Sequence, residues 1–232
     1  MTVPAGKNAE TAGLIRLHHA HQARSMRVIW MLEELGVPYE LVTHDFFDKS
    51  MRAPDYLAIS PAGRVPALEI DGQVMVESGA MLEYLSERFP ESGLGRAPGS
   101  AERMAWLDWI HYAETLGQHC ANLTQAHIML YEDWMRSPTQ MKLEARRLAK
   151  ALGRIETQLS DGRDWLLSGF SAADCAIAYP IYAGRHFIRL DDLPRTAAYW
   201  QRFSARPSFA RALPPEGVRL LYAKDFYEVP DV

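Results

Sequence analysis

The chain has 232 residues, 48% of them hydrophobic, and a formal net charge of −4. That length and apolar fraction allow one large or two modest cores, and the mildly acidic balance leaves no basic stripe with which to hold a nucleic acid. The two cysteines, Cys120 and Cys175, are far apart and form no Cys-x-x-Cys pair, which argues against a disulfide framework or a dithiol redox centre and fits a reducing compartment. Met1–Gly13 is small and polar, reads as a flexible tail and has no apolar core of a signal peptide. No run approaches the roughly 18 apolar residues of a membrane span, so a cytoplasmic protein is expected.

Leu14–Leu17 reads as a first strand. From about Ser25 to Leu35, Val28, Leu32 and Leu35 share a stripe at helical spacing, and Gly36 supplies a left-handed stop. Tyr39–Thr43 follows as a second strand and Asp55–Ala58 as a short helical piece. Val65-Pro66 then stands at the entrance to the apolar run Ala67–Ile70, where a proline removes a ladder donor and fixes its own φ. Two readings stay open there. The proline is an ordinary trans residue at a strand start, or the bond is cis and turns the Val65 backbone outward, to pair with a bound peptide as a strand edge would. Asp71-Gly72 has the composition of a type I′ turn, which needs positive φ at both central residues, and it joins Ala67–Ile70 to Gln73–Val76 in a hairpin. Glu77-Ser78 precedes a helix with Met81, Leu82, Leu85 and Phe89 on one face. At that helix N-terminus Ser78 can serve as a plain cap or help receive a ligand carboxylate. Glu77 beside it is either a solvated charge or the partner of a ligand ammonium.

The proline- and glycine-rich segment from Phe89 to Gly99 has no periodicity and predicts a domain boundary near residue 94. Beyond it the pattern is helical. Ala101–Met135, Met141–Leu159 and Ala172–Ile188 are long periodic stretches, with further turns from Pro194 and after Pro207. Ser171 and Asp174 form a capping box, in which Ser171 accepts from the Asp174 amide and the carboxylate reaches back, so Asp174 is read as a folding residue. Trp106, Trp109, Tyr112 and Tyr131 read mainly as core or subunit interface, some of them lining a pocket. His111, His119 and His127 recur every eight residues, rotate by about 80° per step and cannot converge on one ion. They are expected as groove or surface residues. His18 and His19 alternate on a strand end and point to opposite faces, and with His21 they have no acidic or cysteine partner at ligand spacing, so no metal site is expected.

The order and spacing of Ser60-Pro-Ala-Gly-Arg-Val-Pro-Ala-Leu68, the Asp-Gly hairpin and Glu77-Ser-Gly-Ala-Met-Leu-Glu-Tyr-Leu85 resemble the glutathione-binding signature of the cytosolic glutathione S-transferases, from about Leu14 to about Glu216. The resemblance implies a thioredoxin-like α/β domain over 14–93 followed by an all-α domain over 94–232 that carries a groove for an apolar electrophile. It further implies that the Val65 backbone beside Pro66 pairs with the cysteinyl part of glutathione, that Glu77 and Ser78 hold the γ-glutamyl head group, and that Arg64 lies near the glycyl carboxylate. A homodimer with a detoxifying conjugation activity follows in the same way.

Conjugation needs a glutathione thiolate, yet a free thiol has a pKa of about 8.5, so a donor must stabilise the anion. The sulfur is expected over the loop His18-His19-Ala20-His21-Gln22-Ala23-Arg24-Ser25, at the N-terminus of the first helix. Alignment on Arg27-Val28 puts Ala23 where serine-type members carry their catalytic serine and Gln22 where bacterial cysteine-type members carry cysteine, a departure from both patterns. The run Ala23-Arg-Ser-Met-Arg-Val-Ile-Trp-Met-Leu-Glu-Glu-Leu35 looks most like members with Ser-Arg-Ser-x-Arg. Ser25 is the nearest hydroxyl and the expected catalytic residue, with His21 and the amides of Ala23 and Arg24 as alternatives. A glutathione carrier without conjugation and a glutathione-dependent disulfide or peroxide reductase are the competing functions.

Overall fold

The computed structural model describes residues 13–229, so the expected tail lies outside the described residues except for Gly13. Of the described residues, those up to Ala97 together with Ala205–Leu221 form one compact unit, and Pro98–Ser204 with those from Tyr222 to residue 229 form the other. The boundary thus falls inside the proline- and glycine-rich segment, slightly later than residue 94. Residues 205–221, expected in the helical domain, belong to the first unit.

In the first unit the elements run β1 (Ile15–Ala20), α1 (Met26–Leu35), β2 (Glu40–His44), α2 (Pro54–Ile59), β3 (Ala67–Ile70), β4 (Gln73–Met75) and α3 (Ser78–Arg88). The sheet order is β2-β1-β3-β4, with β1 and β2 parallel and the other two pairs antiparallel. This is the thioredoxin-like arrangement. Asp71 at φ 51° and Gly72 at φ 74° make the expected hairpin turn. Gly36 at φ 63° ends α1, its amide bonded to the Leu32 carbonyl. β1 runs to Ala20, three residues past the stretch read as strand. Its polar end, His18-His19, defeats an apolar-alternation reading because both imidazoles are buried, His18 against His44 on the neighbouring strand and His19 against Ser25 before α1.

Nearly every residue of α1 is buried, including Arg27 and Glu33. The cause is α8 (Pro207–Ala212), which covers the helix side that an amphipathic pattern would leave wet. Phe209 meets the Trp30 ring edge-on at 5.1 Å, the Trp30 indole N–H donates to Ser208 Oγ at 3.1 Å, and Arg206 grips Glu34 with two bonds of 2.7 and 2.6 Å. Arg211 pairs with Glu33, whose other oxygen accepts from the Tyr39 hydroxyl at 2.8 Å.

The described part of the second unit is helical: α4 (Arg103–Thr124), α5 (Pro138–Gln158), α6 (Ala172–Gly184) and α7 (Pro194–Ser204). The stretch read as continuous over Ala101–Met135 breaks after Thr124 into a π-helical turn, Gln125–Met129, closed by the Leu130 amide on the Gln125 carbonyl at 3.0 Å. A π turn advances the helical phase, and His127 is buried against Phe187 and Tyr227, with centroids 5.1 and 6.1 Å away. It is therefore an interior residue, contrary to the surface or groove reading. His111 is exposed, and His119 is half-buried on Glu144 at 2.6 Å. Trp106 and Trp109 are core, and Tyr112 donates to the Ala151 carbonyl at 2.9 Å. Tyr131 is largely exposed, so it takes no part in this unit's interior.

The capping box of α6 forms as expected, the Ser171 side chain accepting from the Asp174 backbone and the Asp174 carboxylate from the Ser171 amide, and Ser171 Oγ also accepts from the Ala173 amide at 3.3 Å. Asp174, fully buried, accepts from the Ser171 and Leu166 amides at 2.8 and 3.1 Å and from the Tyr199 hydroxyl at 2.7 Å. Among the described residues no helix is long and apolar enough to cross a membrane.

Candidate functional site

The site is assembled from three places in the first unit. The antiparallel register pairs His18 with Ala67, which sets Pro66 one step beyond, beside the end of β1 and the loop that follows. The Val65-Pro66 bond is cis, Pro66 is buried and Val65 is half-exposed. Just upstream, the Tyr56 and Ser60 hydroxyls both donate to the Arg64 carbonyl, at 2.6 and 2.9 Å, and hold the backbone that leads into it. The Arg64 side chain itself is exposed.

Ser78 opens α3 as its first residue and Glu77 is the cap position, exposed and making no side-chain cap bond. Ser78 is buried, and its Oγ accepts from Arg27 Nη1 at 3.0 Å. A guanidinium that is 1% exposed therefore stands directly behind the serine that faces an anion-favouring helix end. With one Oγ lone pair taken by Arg27, the hydroxyl hydrogen is left to donate. In the sequence Arg27 stands out only as part of the Arg-Val pair that opens the first helix. Its link to Ser78 spans 51 residues, and no local pattern carries it.

The third part is the loop after β1. Ser25 is fully buried: its Oγ lies 2.7 Å from His19 Nδ1 and donates to the Ala20 carbonyl at 3.4 Å. The expected catalytic hydroxyl is thus turned into the protein, because the last turn before α1 folds it under the strand end. The Ala23 amide is likewise spent on the Ala20 carbonyl at 3.2 Å. Gln22 sits at φ 61°, an uncommon left-handed conformation for a side-chain-bearing residue, with its side chain buried. His21 is the half-exposed member of the group. Its Nδ1 lies 3.3 Å from His19 Nε2, and the residue lines a cleft of about 300 Å³ with His44, Asp45, Phe47, Asp48 and Arg219. Ser25, Arg64, Val65, Pro66, Glu77 and Ser78 do not line that cleft.

Burial drives the His19 pKa down to about 3, with His21 and His44 adding to the effect, so this ring is neutral. Burial also lowers His21, against the pull of Asp45. On the opposite face of β1, His18 lies between Glu69 at 2.9 Å and His44 at 3.0 Å. The two strand-end histidines therefore do serve different faces. Among the described residues no group of three or more His, Cys, Asp or Glu side chains is arranged to hold a metal ion.

Residues 17–93 match the family model of the glutathione S-transferase N-terminal domain. Glutathione S-transferase F10 of Arabidopsis thaliana is 31% identical over 205 residues, covering 81% of this chain and 90% of that protein. The chain belongs to the glutathione S-transferase family. Glutathione S-transferase 3 of Schizosaccharomyces pombe is 28% identical, with 84% and 85% of the two chains covered. A glutathione transferase structure from Methylococcus capsulatus superposes with a TM-score of 0.74 at 29% identity, covering 86% of this chain and 97% of its own. A second, from Phanerochaete chrysosporium and crystallised with oxidised glutathione, gives 0.76 at 26% identity over 85% of this chain and 92% of its own.

Proposed function

We propose that this glutathione S-transferase binds glutathione in its first unit and transfers the glutathione sulfur to an apolar electrophile. The observation that carries the reading is Ser78: buried at the start of α3 and backed by the Arg27 guanidinium at 3.0 Å, it forms a seat for a carboxylate at a helix end. Glu77, exposed beside it, suits the ammonium of the same γ-glutamyl head group. The Val65 backbone beside Pro66 pairs with the cysteinyl part, and Arg64 reaches the glycyl carboxylate. The loop from His18 to Ser25 receives the sulfur, and an apolar groove in the helical domain takes the electrophile. A cytoplasmic homodimer without nucleic-acid or membrane partners completes the reading.

Replacing Glu77 and Ser78 together with alanine removes two charge-assisted contacts of about 1.5–3 kcal/mol each, so glutathione affinity falls by at least about a hundredfold. Titration calorimetry measures this, and an unchanged affinity removes the site assignment. The buried Ser25 hydroxyl, with alanine at position 23, favours one alternative, a glutathione carrier that does not conjugate. Turnover separates the two: conjugation of an aryl halide above the uncatalysed rate excludes the carrier, and tight binding without any rate at any pH establishes it.

A further inference from the structure

Two buried hydroxyls converge on a single atom just ahead of Val65-Pro66: Tyr56 Oη donates to the Arg64 carbonyl oxygen at 2.6 Å and Ser60 Oγ to the same oxygen at 2.9 Å. Tyr56 stands on α2 and Ser60 is that helix's C-cap, whereas Arg64 and Val65 belong to the loop that leads into β3. We propose that Tyr56 and Ser60 are positioning residues: by fixing the Arg64 carbonyl they aim the Val65 N–H at the cysteinyl carbonyl of bound glutathione. The inference rests on the glutathione-binding reading above and adds which atom makes the contact and what holds it.

The Arg64 carbonyl and the Val65 N–H are the two ends of one planar trans peptide group, so they point in opposite directions. A carbonyl oxygen has two lone pairs, and the two hydroxyls take both. With the oxygen turned onto buried donors, the N–H points away from them, on a residue that is half-exposed. Among the described residues neither the N–H nor the C=O of Val65 makes a hydrogen bond, and β3 joins β1 only from Ala67 onward. Two donors on the carbonyl also polarise the amide, which strengthens its N–H as a donor.

The hydroxyls are themselves held. The Tyr56 ring packs on His44 and His18, with centroids 4.1 and 5.2 Å away, and burial raises its pKa, so the phenol keeps the hydrogen it donates. Between Ser60 and Arg64 the chain turns through the Gly63 amide on the Ser60 carbonyl at 2.8 Å. Gly63 sits at φ 60°, and a Cβ there would come within 2.8 Å of the Met51 carbonyl oxygen, so only glycine fits the turn. A donor that is already aimed loses less conformational freedom when its ligand arrives.

The test is a cycle of two ligands against two variants, read by titration calorimetry. Glutathione is compared with an isostere in which a trans alkene replaces the amide between the cysteinyl and glycyl residues, which keeps the shape and removes the cysteinyl carbonyl. The wild type is expected to bind the isostere about tenfold more weakly than glutathione. Tyr56→Phe, which keeps the ring on the two histidines, and Ser60→Ala are each expected to weaken glutathione about three- to tenfold and to leave isostere affinity within about twofold. Circular dichroism checks both folds, and either variant alone carries the comparison if the other does not fold. Equal losses on both ligands mean a general loosening of the loop and overturn the inference. So does unchanged glutathione affinity in both variants, or a wild type that binds the two ligands alike, and each of these leaves the γ-glutamyl seat standing. A loss in one variant alone removes the other residue from the role. Failure of the wild type to bind glutathione overturns both readings.

Discussion

At the level of single residues, the proposed members of the site that are legible in the sequence are those whose signal is local. Pro66 announces itself by standing in front of a strand, and Glu77-Ser78 by preceding a helical stripe. Arg27, His19 and Ser25 have roles made by partners or surroundings that no spacing rule reports. Arg27 reads as the polar exception in an apolar helix, yet its guanidinium is buried behind Ser78. Lysine at that position keeps the charge but loses the planar fork that aims it. Arg27→Lys is therefore expected to weaken glutathione binding by about tenfold, or about 1.4 kcal/mol, in calorimetry, while leaving the circular dichroism spectrum unchanged. Ser25 shows the converse. It was the nearest hydroxyl by position, and burial assigned it to a supporting place beneath His19.

Between elements, two devices hold their surroundings in place. Asp174 closes the N-terminus of α6 and receives bonds from Ser171, Leu166 and Tyr199, three donors that lose their acceptor if it is removed. Each buried donor left unpaired costs about 1–3 kcal/mol, so Asp174→Ala should destabilise the protein by at least about 3 kcal/mol in urea unfolding. The capping pattern made this residue legible in the sequence, though its bonds to Leu166 and Tyr199 are tertiary. The clasp of α8 on α1 was not legible at all. Arg206 and Glu34 are 172 residues apart, and a six-residue helix after a proline carries too little pattern to say what it covers. Arg206→Ala leaves Glu34, largely buried against Trp30 and Ser208, without its guanidinium. A loss of about 1–3 kcal/mol is expected, with the change in hydrogen exchange concentrated in α1 and α8.

Across the whole molecule, acid is expected to act unequally on the two units. His19 in the first unit has its pKa lowered from 6.5 to about 3, so its contribution is fully present above pH 6.5 and is lost as pH falls toward 3, where the unfolded chain binds a proton that the folded one refuses. In the second unit His127, lowered to about 4, acts in the same sense. Asp174 opposes it there. Its carboxyl is raised by burial from 3.8 to about 6, so its contribution is full below 3.8 and lost as pH rises through 6. Opening free energies from hydrogen exchange should therefore fall more in β1 and α1 than in α4 and α6 between pH 7.5 and pH 5, and a uniform fall would contradict the assignment. By itself the sequence determined the alternation of strands and helices in the first unit, the hairpin at Asp71-Gly72 and the helical second half, and it named the residues of the proposed glutathione seat, because each depends on periodicity, turn chemistry or a contiguous motif. Only the tertiary structure decided that residues 205–221 join the first unit, that His127 lies inside, that Ser25 faces inward and that His21 and His44 line the cleft. Those outcomes depend on which distant groups exclude water from a side chain, and burial of that kind has no period along the chain.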